Sequence, residues 1–280
     1  MNIQWFPGHM AKTRRQIEEK LKLIDVVVEI LDARIPVSSK NPDISEITRG
    51  KPRVVVLNKS DLADENITKE WINFYKEQGV EVCLADCAKG KGINESIAAV
   101  KRALSDKISQ DAEKGMNRAI KILVAGVPNV GKSSYINRLS GRSSAIVGDR
   151  PGVTKGQQWI RLKNGIELLD TPGILWPKFE DESVGISLAF TGAIKDEIMD
   201  VELLACKLSE FLNESYRDML CTRYKLENTD GLLGYEIVEM IGRKRGFIVS
   251  GGEIDFLRAS NILLDEFRGG KIGRISIERP

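Results

Sequence analysis

Residues 126–133 read Gly-Val-Pro-Asn-Val-Gly-Lys-Ser, a complete Gly-x-x-x-x-Gly-Lys-Ser pattern. The apolar run Ile120–Ala125 precedes it and a helix-forming stretch follows from Ser134, so the pattern lies between a predicted strand and a predicted helix. In that setting the glycines let backbone N–H groups turn inward around a phosphate chain, and the helix N-terminus adds its positive end. The sequence therefore predicts a phosphate loop that binds a nucleoside triphosphate.

Side-chain chemistry predicts roles within this loop. The Lys132 ammonium can reach the terminal phosphate oxygens, and the Ser133 hydroxyl can hold Mg²⁺. A chance glycine-rich turn is the alternative, but every motif position falls in place behind the predicted strand. The predicted phosphate-binding residues of the loop are Asn129, Val130, Gly131, Lys132, Ser133 and Ser134.

A second motif, Asn58-Lys59-Ser60-Asp61, follows the apolar run 54–57 and predicts the base. The Asp61 carboxylate can accept two N–H bonds from guanine, a pattern that adenine does not offer. The Asn58 amide can meet the base N7, and the Lys59 stem can pack along the ring. Alone, this short pattern is more often a polar loop. Behind a buried strand, in a chain that also has a phosphate loop, it indicates guanine.

A third short motif, Asp86-Cys87-Ala88-Lys89, ends the strand-like run 80–84. The Ala88 backbone N–H can meet the guanine O6 and so exclude the amino group of adenine. We therefore add Cys87 and Ala88 to the predicted guanine-binding residues. The predicted ligands are GTP and GDP.

The segment after the phosphate loop supplies the predicted switches. Thr154 can complete the Mg²⁺ shell, Asp170 can hold the metal through water, and the Gly173 N–H can bond the γ-phosphate. Between them, Asn164-Gly165 separates two β-runs and predicts a hairpin.

The fold class follows from six apolar runs. The runs around 26–31 and 54–57 are almost continuously apolar, which is typical of parallel strands covered on both faces. We predict an α/β phosphate-loop GTPase domain with a six-stranded, mostly parallel sheet over residues 1–178, and a helical domain over 179–280. Two apolar helix stripes are expected in the second domain's core: Val201, Leu204, Leu208 and Phe211, and Ile237, Val238 and Ile241.

The motifs occur in a permuted order, because the two guanine motifs precede the phosphate loop. With Trp-Phe-Pro-Gly-His-Met at residues 5–10 and Asp-Ala-Arg-Ile-Pro at 32–36, the chain closely resembles the ribosome biogenesis GTPase A (YlqF) family of circularly permuted GTPases. The resemblance implies a cytoplasmic GTPase that helps complete the large ribosomal subunit, binds ribosomal RNA and is activated by the particle. We expect a monomer without membrane contact.

The chain has 42 Lys and Arg residues and 40 Asp and Glu residues, so its net charge is only +2. RNA contact would therefore depend on local basic patches and not on the charge of the whole chain. Two basic patches are candidates for phosphate-backbone contact, with a solvated surface as the alternative reading of each. The candidate RNA-contact residues are Arg14 and Arg15 near the start and Arg243, Lys244 and Arg245 near the end.

The sequence leaves one gap in the predicted mechanism. Ras-like proteins place a water-orienting Gln after the Asp-x-x-Gly glycine, whereas Ile174 stands there in this chain. His9, the single histidine, is the candidate substitute, and a structural role on its turn is the alternative. Asn129 offers a second device, because GTPases with Asn at this position can bind K⁺ between the phosphates.

Two other functions stay open at this stage. One is a switch-type signalling GTPase whose helical domain binds a protein effector. The other is an ATPase, against which Asp61 argues. The basic patches favour the ribosomal function modestly, and the family resemblance favours it strongly.

Overall fold

The computed structural model describes residues 18–141, 158–162, 165–170 and 181–280. The strands are β1 Val26–Asp32, β2 Arg53–Asn58, β3 Glu81–Leu84, β4 Ile120–Ala125, β5 Gln158–Arg161 and β6 Ile166–Asp170. The helices are α1 Pro42–Ile47, α2 Glu65–Glu77, α3 Ile93–Ala103, α4 Ser105–Glu113, α5 Lys132–Ser140, α6 Glu182–Phe190, α7 Val201–Ser215, α8 Arg217–Tyr224, α9 Gly234–Arg245 and α10 Phe256–Arg268, with short 3-10 turns at Leu21–Leu23 and Asp196–Ile198.

The strands form one six-stranded sheet in the order β3-β2-β1-β4-β6-β5. All pairs are parallel except β5 with β6, which are antiparallel as the predicted hairpin requires. Every residue of β1 is buried, because β1 lies between β2 and β4 and has both faces covered. The predicted six-stranded, mostly parallel sheet is confirmed.

Helix α2 illustrates how the sheet is covered. The Asp64 side chain caps its first turn by accepting from Asn66 N at 2.8 Å and Ile67 N at 3.1 Å. Its buried face places Trp71 and Tyr75 in a core cluster with residues of β1 and β2. Trp71 is 1% exposed, and truncating such a side chain to Ala typically costs about 3–5 kcal/mol. This packing fixes the segment that follows β2.

Three loops meet at one edge of this sheet. Parallel strands β1, β2, β3 and β4 all end there, at Asp32, Asn58, Leu84 and Ala125. In open α/β sheets ligands bind in the crevice outside the carboxyl ends of the strands. The topology therefore brings the two guanine motifs and the phosphate loop to one edge.

The chain divides into two compact units, the first containing residues up to Val184 together with Ser276–Pro280, and the second containing Gly185–Ile275. The predicted boundary at residues 178 and 179 falls outside the described residues. Within the second unit, Leu204, Leu208, Ile237, Val238 and Ile241 are fully buried, as expected.

Val201 and Phe211 differ from the predicted stripe, since both are only half-buried. Leu212 takes the buried position instead, because the stripe of α7 shifts by one residue in its last turn. Among the helices that the structure describes, none combines the length and apolarity that a bilayer crossing requires.

Candidate nucleotide-binding site

The loop between β4 and α5 has a conformation that only glycine fits at two positions. Gly126 has φ 155° and Gly131 has φ 103°. A Cβ on Gly126 would lie 2.6 Å from the Ile30 carbonyl oxygen, and one on Gly131 would lie 2.2 Å from Asn58 Nδ2. A side chain at position 126 would collide with the backbone of β1, and one at position 131 would displace the Asn58 amide, so both positions require glycine.

Lys132 lies buried inside this loop as the first residue of α5. Its Nζ donates to the carbonyl oxygens of Gly126 at 3.0 Å and Val127 at 3.2 Å. A buried ammonium requires oxygen partners, and phosphate oxygens are stronger ones than carbonyls. The first turn of α5 also contains Ser133 and Ser134, and the first backbone N–H groups of a helix point out of its N-terminal end. The loop thus offers a cation and N–H donors to an anion.

The Asn58 side chain joins two of the three loops. Its Nδ2 donates to the Val130 carbonyl oxygen at 2.7 Å, and its Oδ1 accepts from Cys87 N at 2.9 Å. One N–H of the amide remains for the predicted contact with the base N7. Sequence reasoning missed this bridge because Val130 lies 72 residues away along the chain. The Cys87 backbone N–H serves to hold its loop.

Asp61 lies at the rim with its side chain 35% exposed, and it pairs with Lys89. Lys89 Nζ lies 2.7 Å from Asp61 Oδ2 and 3.2 Å from Asp86 Oδ2. Hydrogen bonds to Asp61 and then to Asp86 raise the Lys89 pKa above its usual value. Lys89 therefore links the two predicted guanine motifs, a function that its position in the third motif could have suggested.

Ala88 is held from the opposite side by Arg138 of α5. The Arg138 guanidinium donates to the carbonyl oxygens of Cys87, at 3.3 Å, and of Ala88. The third motif is therefore fixed both to the second motif, through Lys89, and to the helix that follows the phosphate loop.

Lys59 sits above a buried carboxylate. It has a left-handed backbone with φ 56°, and its Nζ lies 3.1 Å from Asp32 Oδ2. Asp32 also receives two hydrogen bonds from the Arg34 guanidinium, at 2.9 and 2.8 Å. Burial alone would raise the pKa of Asp32, but the charges of Arg34 and Lys59 outweigh burial and hold that pKa far below its usual range. The Asp-Ala-Arg segment thus holds the guanine motif through the ion pair between Asp32 and Lys59.

Several predicted residues fall elsewhere. His9, Arg14, Arg15, Thr154 and Gly173 lie outside the described residues, so their roles stay predictions. Asp170 ends β6 and pairs in register with Val124 of β4, which places its backbone beside the start of the phosphate loop.

The basic cluster at the end of α9 makes intramolecular ion pairs. Arg243 contacts Glu239 at 2.6 Å, and Lys244 contacts Glu227 at 3.4 Å. Arg245 contacts Glu266 at 3.2 Å and stacks over the Tyr224 ring at 5.3 Å. The Glu266 side chain is only 8% exposed, so Arg245 has a structural partner. RNA contact by these three residues stays a prediction.

Comparison with known proteins gives a consistent result. Residues 121–227 match the family model described as 50S ribosome-binding GTPase. Ribosome biogenesis GTPase A of Bacillus cereus is 50% identical over 281 residues, covering 100% of this chain and 95% of the relative. The Thermotoga maritima protein of the same name is 36% identical, covering 99% of this chain and 95% of the relative.

A solved structure agrees. The GDP-bound structure titled TM YlqF superposes with a TM-score of 0.67 at 31% identity, covering 95% of this chain and 99% of the other. In this chain both guanine motifs precede the phosphate loop, which is the motif order of a circularly permuted GTPase. The chain therefore belongs to the ribosome biogenesis GTPase A family of circularly permuted GTPases.

Proposed function

We propose that this GTPase binds GTP at the edge where its three loops meet, hydrolyses it to GDP, and acts in late maturation of the large ribosomal subunit. The observation that carries the proposal is the Asn58 bridge, which ties the base-recognition segment to both the phosphate loop and the third motif. Such a bridge sets the distance between base and phosphate sites, which a nucleotide must span.

Base selection is proposed for Asp61, which lies at the rim, with Lys59 and Ala88 beside it. The Asp61 carboxylate accepts from guanine, and Lys89 pairs with it at the rim of the site. Phosphate binding is proposed for the loop residues already named, with Lys132 as the cation.

Mg²⁺ fits the residues of this site. Ser133 follows Lys132 at the start of α5, and hydroxyl and carboxylate oxygens are the ligands that Mg²⁺ prefers. Ser133, Thr154 and Asp170 would hold the ion, which would supply positive charge to offset that of the phosphates. We also propose that K⁺ binds at Asn129, which has a left-handed backbone with φ 56°.

Hydrolysis by the isolated protein is expected to be slow. With Ile174 where Ras-like proteins have Gln, turnover should be on the order of 10⁻⁴ to 10⁻³ per second. We propose that docking on ribosomal RNA, in the cytoplasm and as a monomer, brings His9 to the attacking water. The domain over 179–280 would contribute to that docking.

The test of base selection is Asp61→Asn, because an amide accepts hydrogen bonds from the guanine N–H groups less well than a carboxylate does. Removing a charged hydrogen bond costs about 1.5–3 kcal/mol, or roughly ten- to more than a hundredfold in affinity. GDP binding should weaken by that factor while xanthosine diphosphate binding improves, as measured by calorimetry. Asp230→Asn is the matched control, since its side chain is 71% exposed and pairs with Arg217. An unchanged preference for guanine over xanthine in Asp61→Asn would refute the assignment.

The ribosomal and catalytic proposals need particle experiments. The protein should sediment with a large-subunit precursor in the presence of a non-hydrolysable GTP analogue, whereas a signalling GTPase would sediment free of it. His9→Ala should retain particle binding and lose most of the stimulated rate. Replacing K⁺ by Na⁺ at equal ionic strength should slow wild-type hydrolysis and leave an Asn129 variant unaffected. Equal rates in both ions would refute the K⁺ site.

A further inference from the structure

The last residues of the chain, Ser276–Pro280, belong to the first compact unit and are here named the C-terminal strap. The backbone N–H groups of Ile277 and Glu278 both point at the Arg34 carbonyl oxygen, at 2.8 and 3.3 Å. The Trp71 Nε1 donates to the Glu278 carbonyl oxygen at 3.1 Å. The strap therefore lies against the segment after β1 and against α2.

The Glu278 carboxyl group closes around the segment that follows β1. Its oxygens accept from Val37 N at 2.6 Å, from Ser38 N at 3.1 Å and from the Ser38 hydroxyl. Satisfying two backbone donors and a hydroxyl with one carboxyl group fixes the path of residues 34–38. That path includes Arg34, whose guanidinium holds Asp32 beneath Lys59.

Ser276 holds the chain just after the guanine motif at residues 58–61, here named the base motif. Its Oγ accepts from Asp64 N at 3.1 Å. Asp64 is the N-cap of α2 and comes three residues after Asp61. The strap thus contacts two segments next to the base motif. Glu278 contacts the segment after β1, which starts from the Asp32 carboxylate that pairs with Lys59. Ser276 contacts Asp64, where the loop after the base motif becomes helix α2.

We propose that the C-terminal strap is a positioning element for guanine recognition, with Ser276 and Glu278 holding the base motif so that Asp61 meets the base. The proposal rests on the proposed guanine contact of Asp61. No strap residue touches the nucleotide in this scheme. Its effect reaches the base through Asp64 on one side and through Arg34 and Asp32 on the other.

A purely structural strap makes a different prediction. Inosine diphosphate lacks the 2-amino group of guanine, so it forms one fewer bond with Asp61. If the strap positions Asp61, its loss weakens GDP more than inosine diphosphate. If the strap only stabilises the fold, the two affinities change together or not at all, at temperatures where the variant is folded.

The experiment measures both diphosphates by calorimetry on wild type, Ser276→Ala, Glu278→Ala and a chain without residues 276–280, with circular dichroism to establish folding. We expect a GDP affinity lower by about tenfold in Glu278→Ala and the truncated chain, of the order of one lost hydrogen bond to a charged group, and a GDP-to-inosine ratio lower by at least about threefold. Ser276→Ala should shift the ratio in the same direction. It provides the test if Glu278→Ala and the truncated chain do not fold.

Arg279→Ala is the matched control, because this strap side chain is 70% exposed and its carboxylate partner Glu70 is 3.9 Å away. It should behave as wild type. Loss of the GDP preference in Asp61→Asn establishes the base site independently; its persistence there would refute the proposed function instead. A normal response of Asp61→Asn together with an unchanged ratio in every folded strap variant would overturn the strap proposal.

Discussion

Replacing Asn58 by Ala removes the bridge between the phosphate loop and the third motif. Two buried backbone groups then lose their partners, the Val130 carbonyl and the Cys87 N–H, in residues that are 2% and 1% exposed. An unsatisfied buried group costs about 1–3 kcal/mol, so the pair should cost about 2–6 kcal/mol, and about 3 kcal/mol if a water molecule enters the space. The native state of the first unit should be weakened by that amount.

Thermal unfolding followed by circular dichroism measures the effect. For a domain of this size about 1 kcal/mol shifts Tm by about 2–4 °C, so at a cost of about 3 kcal/mol Asn58→Ala should lower Tm by about 6–12 °C. Asn58→Asp is the informative second variant. It keeps an acceptor for the Cys87 N–H but places a carboxylate oxygen against the Val130 carbonyl oxygen, so it should be destabilised at least as much.

The control is Asn261→Ala, whose amide donates to the Leu257 carbonyl oxygen at 2.9 Å on an exposed helix face. Its Tm should stay within about 2 °C of wild type, because exposed groups recover their hydrogen bonds from water. An Asn58→Ala protein with a wild-type Tm would refute the inference that the bridge holds the loops. A lower Tm with unchanged GDP affinity would show that the bridge supports the fold and not the site.

Two further predictions concern buried charges. Asp32 has a folded pKa below its unfolded value, so its contribution to stability is present above the unfolded pKa, about 3.9, and is lost as pH falls below it. Asp32→Asn should therefore destabilise the protein at pH 7 by about 3–5 kcal/mol, since Arg34 is left buried without its carboxylate. Between pH 5 and pH 3 the variant should lose less stability than the wild type does, as measured by urea titrations. In the second unit, Arg245→Ala should lower stability by about 1 kcal/mol because Glu266 is buried, whereas Arg243→Ala should cost under about 0.5 kcal/mol; equal effects would contradict the structural role of Arg245.

The sequence predicts the strands and motifs well because their signals are local. The apolar runs locate all six strands, and the motif order implies the permutation. The Asn58 bridge and the strap are invisible to such reasoning. They join residues 72 and 241 positions apart, and no periodicity encodes such pairs. The Lys59 contact with Asp32 likewise needs the register of β1 against β2, which pairs Asp32 with Asn58.

The placement of the strap after the second unit has a consequence for the chain as it is synthesised. Strands β1, β2 and β3 emerge first, together with the two guanine motifs that follow β2 and β3, and β4 with its phosphate loop comes next. Domains generally fold in the order of synthesis, yet residues 34–38 and Asp64 gain their last partners only when Ser276 and Glu278 have left the exit tunnel. A nascent chain arrested within residues 185–275 has every nucleotide motif but lacks these contacts. Full assembly of the proposed guanine site therefore waits until the residues that follow the second unit have been synthesised.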